Sequence, residues 1–77
     1  MSLADSLKKT RQKALMTQED FAQTLNVSVA TINRWEKGKA KPHLTALKAI
    51  KNFCIENNLP FEEVEKAWFD ENPEEEK

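Results

Sequence analysis

The densest chemistry in this chain lies between Gln18 and Lys41. Thr31, Asn33 and Arg34 fall within four positions, and Lys37, Gly38, Lys39 and Lys41 follow directly. An arginine fork matches O6 and N7 of guanine, an asparagine amide can bond adenine, and the methyl groups of Thr31 and Ala30 suit the thymine C5-methyl. Apolar Val29 offers the same kind of surface. Lysines around the only glycine suit phosphate oxygens. Gln18 and Ser28 stand at expected helix starts, where a side chain and free backbone N–H groups together clamp an anion. The expected base readers are therefore Val29, Ala30, Thr31, Asn33 and Arg34. The expected phosphate contacts are Gln18, Ser28, Lys37, Gly38, Lys39 and Lys41. Each has a plainer alternative. Asn33 can merely solvate its helix, Val29 can be partly buried against the preceding helix, Ser28 can serve as a cap alone, and the lysines can form a solvated loop.

Other chemistries lack their parts. One cysteine and one histidine, Cys54 and His43, make neither an internal disulfide nor a zinc cluster. Without a glycine-rich phosphate loop or a catalytic triad, no enzyme, metal or cofactor is expected. No apolar run approaches the roughly 18 residues that a membrane span needs, and the N-terminus has no signal-peptide stretch. A cytoplasmic, nucleoid-associated protein is the expectation. The net charge of −1 conceals an asymmetry: residues 1–51 hold ten Lys/Arg and four Asp/Glu, a net of +6, and residues 52–77 hold two Lys and nine Asp/Glu, a net of −7. A polyanion partner is thus reserved for the first two thirds of the chain.

The elements that must position these side chains are helices. One glycine and three prolines in 77 residues disfavour a turn-rich β fold. The stripe Leu3, Leu7, Thr10, Arg11, Ala14 predicts a helix over Leu3 to Lys13. Thr17 is an N-cap with Asp20 in the capping-box place, Phe21, Ala22 and Leu25 face inward, and Asn26 tolerates a left-handed cap; a helix over Gln18 to Leu25 follows. Ser28 caps a third helix, from Val29 to Glu36 or Lys37, with Ile32 and Trp35 inward and Gly38 supplying the positive φ that stops it. Leu44, Leu47, Ile50, Phe53 and Cys54 predict a fourth over His43 to Asn57. Pro60 opens a fifth, with Phe61, Val64 and Trp68 on one face. The result is an all-α, compact five-helix bundle in which residues 1–69 form one domain and residues 70–77 an acidic, disordered tail.

The short connection "NVS" between the second and third helices permits only a steep angle, and Ala22 lets the pair approach closely. With "TQEDFA", "NVSVATINRWEKG" and "KP" at these spacings, the chain from about Leu7 to Phe53 resembles the phage repressor and Cro (XRE) family of helix-turn-helix domains. The resemblance implies a lambda-repressor-like domain whose third helix enters the DNA major groove, usually as a homodimer on a palindromic double-stranded site. It places Gln18 on the DNA backbone. It also implies a transcriptional regulator of bacterial or phage type, a repressor in the first instance. Members often carry glycine near Leu15 and at Asn26; neither is glycine here, which leaves the backbone course at Leu15 open.

Arg11 and Glu36 lie on inward stripes of different helices. Opposite charges on two buried faces should pair, because an unpaired buried charge is costly; the resemblance implies the same buried pair. Cys54 is expected in the core. Of the adjacent aromatics Trp68 and Phe69, one should be exposed and suits a dimer contact. The rival functional class is an antitoxin-like or other protein-interaction module whose acidic C-terminal region binds a basic protein partner.

Overall fold

Three helices begin at a hydroxyl that accepts a backbone N–H, which satisfies donors the helix itself cannot pair. In the computed structural model, which describes residues 2–71, the helices are α1 (Leu3–Lys13), α2 (Gln18–Leu25), α3 (Val29–Glu36), α4 (Leu44–Glu56) and α5 (Glu62–Asp70). Ser2 Oγ accepts from Asp5 N–H at 3.1 Å, Thr17 Oγ1 from Asp20 N–H at 3.0 Å and Ser28 Oγ from Thr31 N–H at 3.1 Å. Asp20 returns the favour to Thr17 N–H at 3.3 Å and completes a capping box. α4 and α5 have no side-chain cap. The acidic first turn of α5, with Glu62, Glu63 and Glu65, suits the positive end of its dipole instead.

Four helices end in one way. Leu15, Asn26, Gly38 and Asn58 have φ of 59°, 62°, 76° and 56°. Behind each, the next N–H reaches back five residues: Met16 to Arg11, Val27 to Ala22, Lys39 to Arg34 and Leu59 to Cys54, at 3.2, 2.9, 2.9 and 2.8 Å. Those bonds satisfy helix-terminal carbonyls and turn the chain sharply. Gly38 is therefore one of four left-handed stops, and the backbone at Leu15 takes the left-handed course despite the leucine.

Leu3 and Leu7 of α1, Phe21 and Leu25 of α2, Ile32 and Trp35 of α3, and Leu47, Ile50, Phe53 and Cys54 of α4 form the core, closed by Val64 and Ala67 of α5. Phe21 and Phe53 meet edge to face, with centroids 5.3 Å apart. α1 packs on α3 and α5, and α2 on α3 and α4. Ala22, buried, permits the close approach of α2 and α3. The ends differ slightly from expectation. His43 and Asn57 flank α4 rather than belonging to it, and α5 starts at Glu62 because the first helical bond is accepted by the Phe61 carbonyl. Asp70 is the last residue of α5, and the Glu71 carboxylate accepts from Leu3 N–H at 2.8 Å. Both residues, assigned by the sequence to the tail, thus belong to the folded body; the rest of that expected tail, 72–77, lies outside the described residues.

Candidate nucleic-acid interface

Burying Ile32 and Trp35 determines what α3 presents to solvent. Ala30, Asn33, Arg34 and Lys37 stand at i, i+3, i+4 and i+7, so they share the opposite face. Ala30, Arg34 and Lys37 are exposed and Asn33 is half-buried. Val29, at 40% exposure, stays accessible rather than packed away. Half-buried Thr31 is drawn toward the helix start, its Oγ1 2.9 Å from Ser28 Oγ. Ser28 therefore caps α3 and also engages the Thr31 hydroxyl.

Two devices hold the C-terminal end of this face. In the first, Glu36, the last residue of α3, accepts from Arg11 Nε at 2.8 Å and Nη2 at 3.0 Å, a bidentate fork, and from Gln18 Nε2 at 3.0 Å. Arg11 Nη1 donates to the Met16 carbonyl at 2.9 Å. The hydrogen bond to Glu36 and the carboxylate's charge raise the Arg11 pKa further, against the opposing effect of burial. This cluster ties the end of α1, the start of α2 and the end of α3 together, and it neutralises the only carboxylate on α3. Gln18 is thus bound to Glu36, with one amide N–H left over, rather than standing free for a phosphate. Its neighbours Glu19 and Asp20 are exposed carboxylates in the same turn and work against an anion there.

Directly after Glu36, the turn that follows α3 exposes Lys37, Gly38 and Lys39. Lys41, the remaining expected phosphate contact, is engaged within the chain. Its ammonium donates to the Trp68 carbonyl at 2.8 Å and lies 4.1 Å from the centroid of the Trp68 ring. The indole N–H of Trp68 donates to the Pro42 carbonyl at 2.7 Å. α5 therefore grips the α3–α4 turn, a role for Trp68 that its place in the sequence did not reveal. A cleft of about 350 Å³ runs beside the exposed face, lined among others by Thr31, Arg34, Lys41 and His43. His43, the residue before α4, thus lies beside the candidate base readers; the only signal was its position just after the "KP" turn. Among the described residues no group of three or more His, Cys, Asp or Glu could hold a metal ion, and no helix is long and apolar enough to cross a membrane.

Five helices without a strand among the described residues, the second and third joined through Asn26–Ser28, with the third backed by the core and polar outside, define a DNA-binding helix-turn-helix domain of the phage repressor and Cro type. The chain belongs to the helix-turn-helix family, whose model matches residues 7–54. Two curated proteins are similar. The type II methyltransferase M.SsoII of Shigella sonnei is 40% identical over 55 residues, 68% of this chain, and the HTH-type transcriptional activator BcrR of Enterococcus faecalis is 38% identical over 53 residues, 69% of this chain. The matches span only 14% and 26% of the lengths of those relatives. No solved structure matches.

Proposed function

We propose that this protein binds a specific duplex DNA site and regulates transcription in a prokaryotic or phage setting, acting in the cytoplasm on nucleoid DNA. α3 lies in the major groove, where Ala30, Asn33 and Arg34 read base edges, with Val29 and Thr31 at the rim of the contact. Ser28, at the helix start, and Lys37, Gly38 and Lys39, in the following turn, hold phosphates on either side. Gln18 adds a contact through its remaining N–H; Lys41 braces the turn from behind. Two copies on a palindromic site place two such helices about 34 Å apart. Repression needs nothing beyond this interface, because an occupied site blocks its other users; activation requires a further protein contact.

The observation that carries this reading is the outward face of α3 and its C-cap, where Arg34, Asn33 and Lys37 surround Ala30, with the only acidic residue of the helix turned away into an ion pair. The test is selection from a random duplex library at two salt concentrations. An enriched palindrome bound with a steep salt dependence is expected. Equal capture of all sequences, or capture of none, overturns the proposal.

A further inference from the structure

His43 is the one histidine of the chain, and it belongs neither to the core nor to the ion pair. It precedes α4 as the N-cap residue, yet its side chain makes no capping bond and is exposed. Its backbone is fixed on both sides. The His43 carbonyl accepts from Leu47 N–H at 2.8 Å, and the preceding Pro42 is buried, with its carbonyl bound to the Trp68 indole. An exposed imidazole on so firmly held a backbone contributes little to the fold. What it has is a place, on the wall of the cleft of about 350 Å³ beside the outward face of α3. To that cleft α3 contributes Arg34 and Thr31, the turn contributes Lys41, and α4 contributes Ala46. No carboxylate lines it, and Trp68, which α5 sets against Pro42, is uncharged.

We propose that His43 is a further DNA contact and that its imidazole takes up a proton from solvent when duplex binds, holding a backbone phosphate at the mouth of this cleft. Imidazole is the side chain whose charge ordinarily changes between about pH 5 and 8. The free cleft holds no anion that would reward a positive charge there. A duplex phosphate supplies one, and an opposite charge nearby favours the charged form. Protonated His43 then counts as one more phosphate contact and displaces one more counterion from the duplex. In the complex the imidazole therefore titrates at a higher pH than in the free chain. The added affinity is fully present below the titration of the free chain and is lost as pH rises through that of the complex. Arg34 keeps its place at the base edges, and Lys41 keeps its bond to Trp68. The inference rests on the functional reading above; duplex capture at a single pH tests that reading, and the dependence on pH tests this one.

The experiment measures affinity of the whole chain for a mixed-sequence duplex over a pH series, at two salt concentrations. The wild-type chain is expected to bind about fivefold tighter at about pH 6 than at about pH 8, with a salt slope steeper by up to about one at the lower pH. His43→Gln, which cannot take up the proton, is expected to bind alike at both, as the wild type does at the higher pH. His43→Lys, charged throughout, is expected to bind alike at both, at least as tightly as the wild type does at the lower. In parallel, proton NMR follows the imidazole without and with duplex, an unambiguous signal in a chain with one histidine. Its titration is expected to move to higher pH when duplex is added. Circular dichroism melts at both pH values establish that the variants keep the fold, and the NMR titration needs no variant. Three results each overturn this proposal alone: wild-type binding that is flat with pH, a His43→Gln chain that keeps the wild-type pH dependence, and an imidazole titration that duplex leaves unmoved. Absence of binding at every pH overturns it together with the functional reading.

Discussion

The indole N–H of Trp68 donates to the Pro42 carbonyl at 2.7 Å, across 26 residues of sequence, while the Lys41 ammonium lies over the same ring. α5 thereby sets the course of the turn that carries Lys37, Gly38 and Lys39. Trp68→Phe keeps an aromatic ring but removes the donor, leaving the carbonyl of buried Pro42 short of its partner at a cost of about 1–3 kcal/mol. On the proposal that the turn holds phosphates and reads no bases, DNA affinity should fall alike on selected and random duplexes, with base preference kept. Binding isotherms on both duplexes, with a thermal melt of the free protein, check this. A lower melting temperature with unchanged affinity for both would show that the grip serves the fold alone.

Arg11 and Glu36 are nearly buried, their side chains 12% and 5% exposed, and their bonds join three elements. Arg11→Met strands the Glu36 carboxylate with Gln18 as its remaining side-chain partner, and Glu36→Leu strands the guanidinium. Each single change should cost about 3–5 kcal/mol, whereas the double change should cost much less, since both desolvation penalties vanish together. Urea unfolding of the four proteins closes the cycle. Additive losses would mean that the two side chains stabilise the fold independently of each other.

Leu15 occupies the left-handed region at φ 59° and is 91% exposed. A side chain there clashes with its own backbone, and at that exposure it returns little packing. Leu15→Gly should therefore raise stability by about 1 kcal/mol, the released strain outweighing the extra freedom glycine gives the unfolded chain. Chemical denaturation measures it. A loss of stability would mean that Leu15 makes contacts that outweigh its strain.

These positions show what a sequence reveals and what it hides. Thr17, Asn26, Ser28 and Gly38 act through local chemistry, accepting a neighbouring N–H or tolerating positive φ, so α2, α3 and the turn between them are legible from residue type and spacing. Leu15 and Asn58 adopt the same left-handed geometry because Met16 and Leu59 reach back to helix carbonyls. Leucine carries no sign of that demand. The direction of the Trp68 ring and the capture of Lys41 and Gln18 by distant partners depend on how α5 docks and where α3 ends. Those are tertiary facts, and a lysine beside a glycine looks the same in sequence whether it meets a phosphate or a carbonyl.

Cys54 is fully buried in the core, and burial pushes its thiol pKa up. The thiolate is the nucleophile, so the native protein should resist a thiol-specific reagent near neutral pH and react only as fast as it unfolds. The sign of the linkage follows. The stability owed to the neutral buried thiol is fully present below the ordinary thiol pKa and is lost as pH rises through the higher value of the folded state. Reaction rates with a coloured disulfide, in buffer and in urea, test this. Rapid labelling of the folded chain at neutral pH would place the sulfur within reach of solvent.

Arg34 and Lys39 are both exposed and basic, yet they stand on different parts of the candidate interface, one on the outward face of α3 and the other in the turn beyond Gly38. Arg34→Ala should remove a bidentate base contact, costing about 1–3 kcal/mol on the selected site and relaxing preference at one base pair, with little change on random duplex. Lys39→Ala should weaken every sequence alike and reduce the slope of log affinity against log salt by about one. Neither change touches the core, so melting temperatures should hold and the effects can be assigned to the interface. Competition of selected and scrambled duplexes across a salt series separates the two behaviours. Indistinguishable profiles would mean that Arg34 contacts only the backbone, and the reading of bases would then pass to Asn33 and the methyl groups of Ala30 and Thr31.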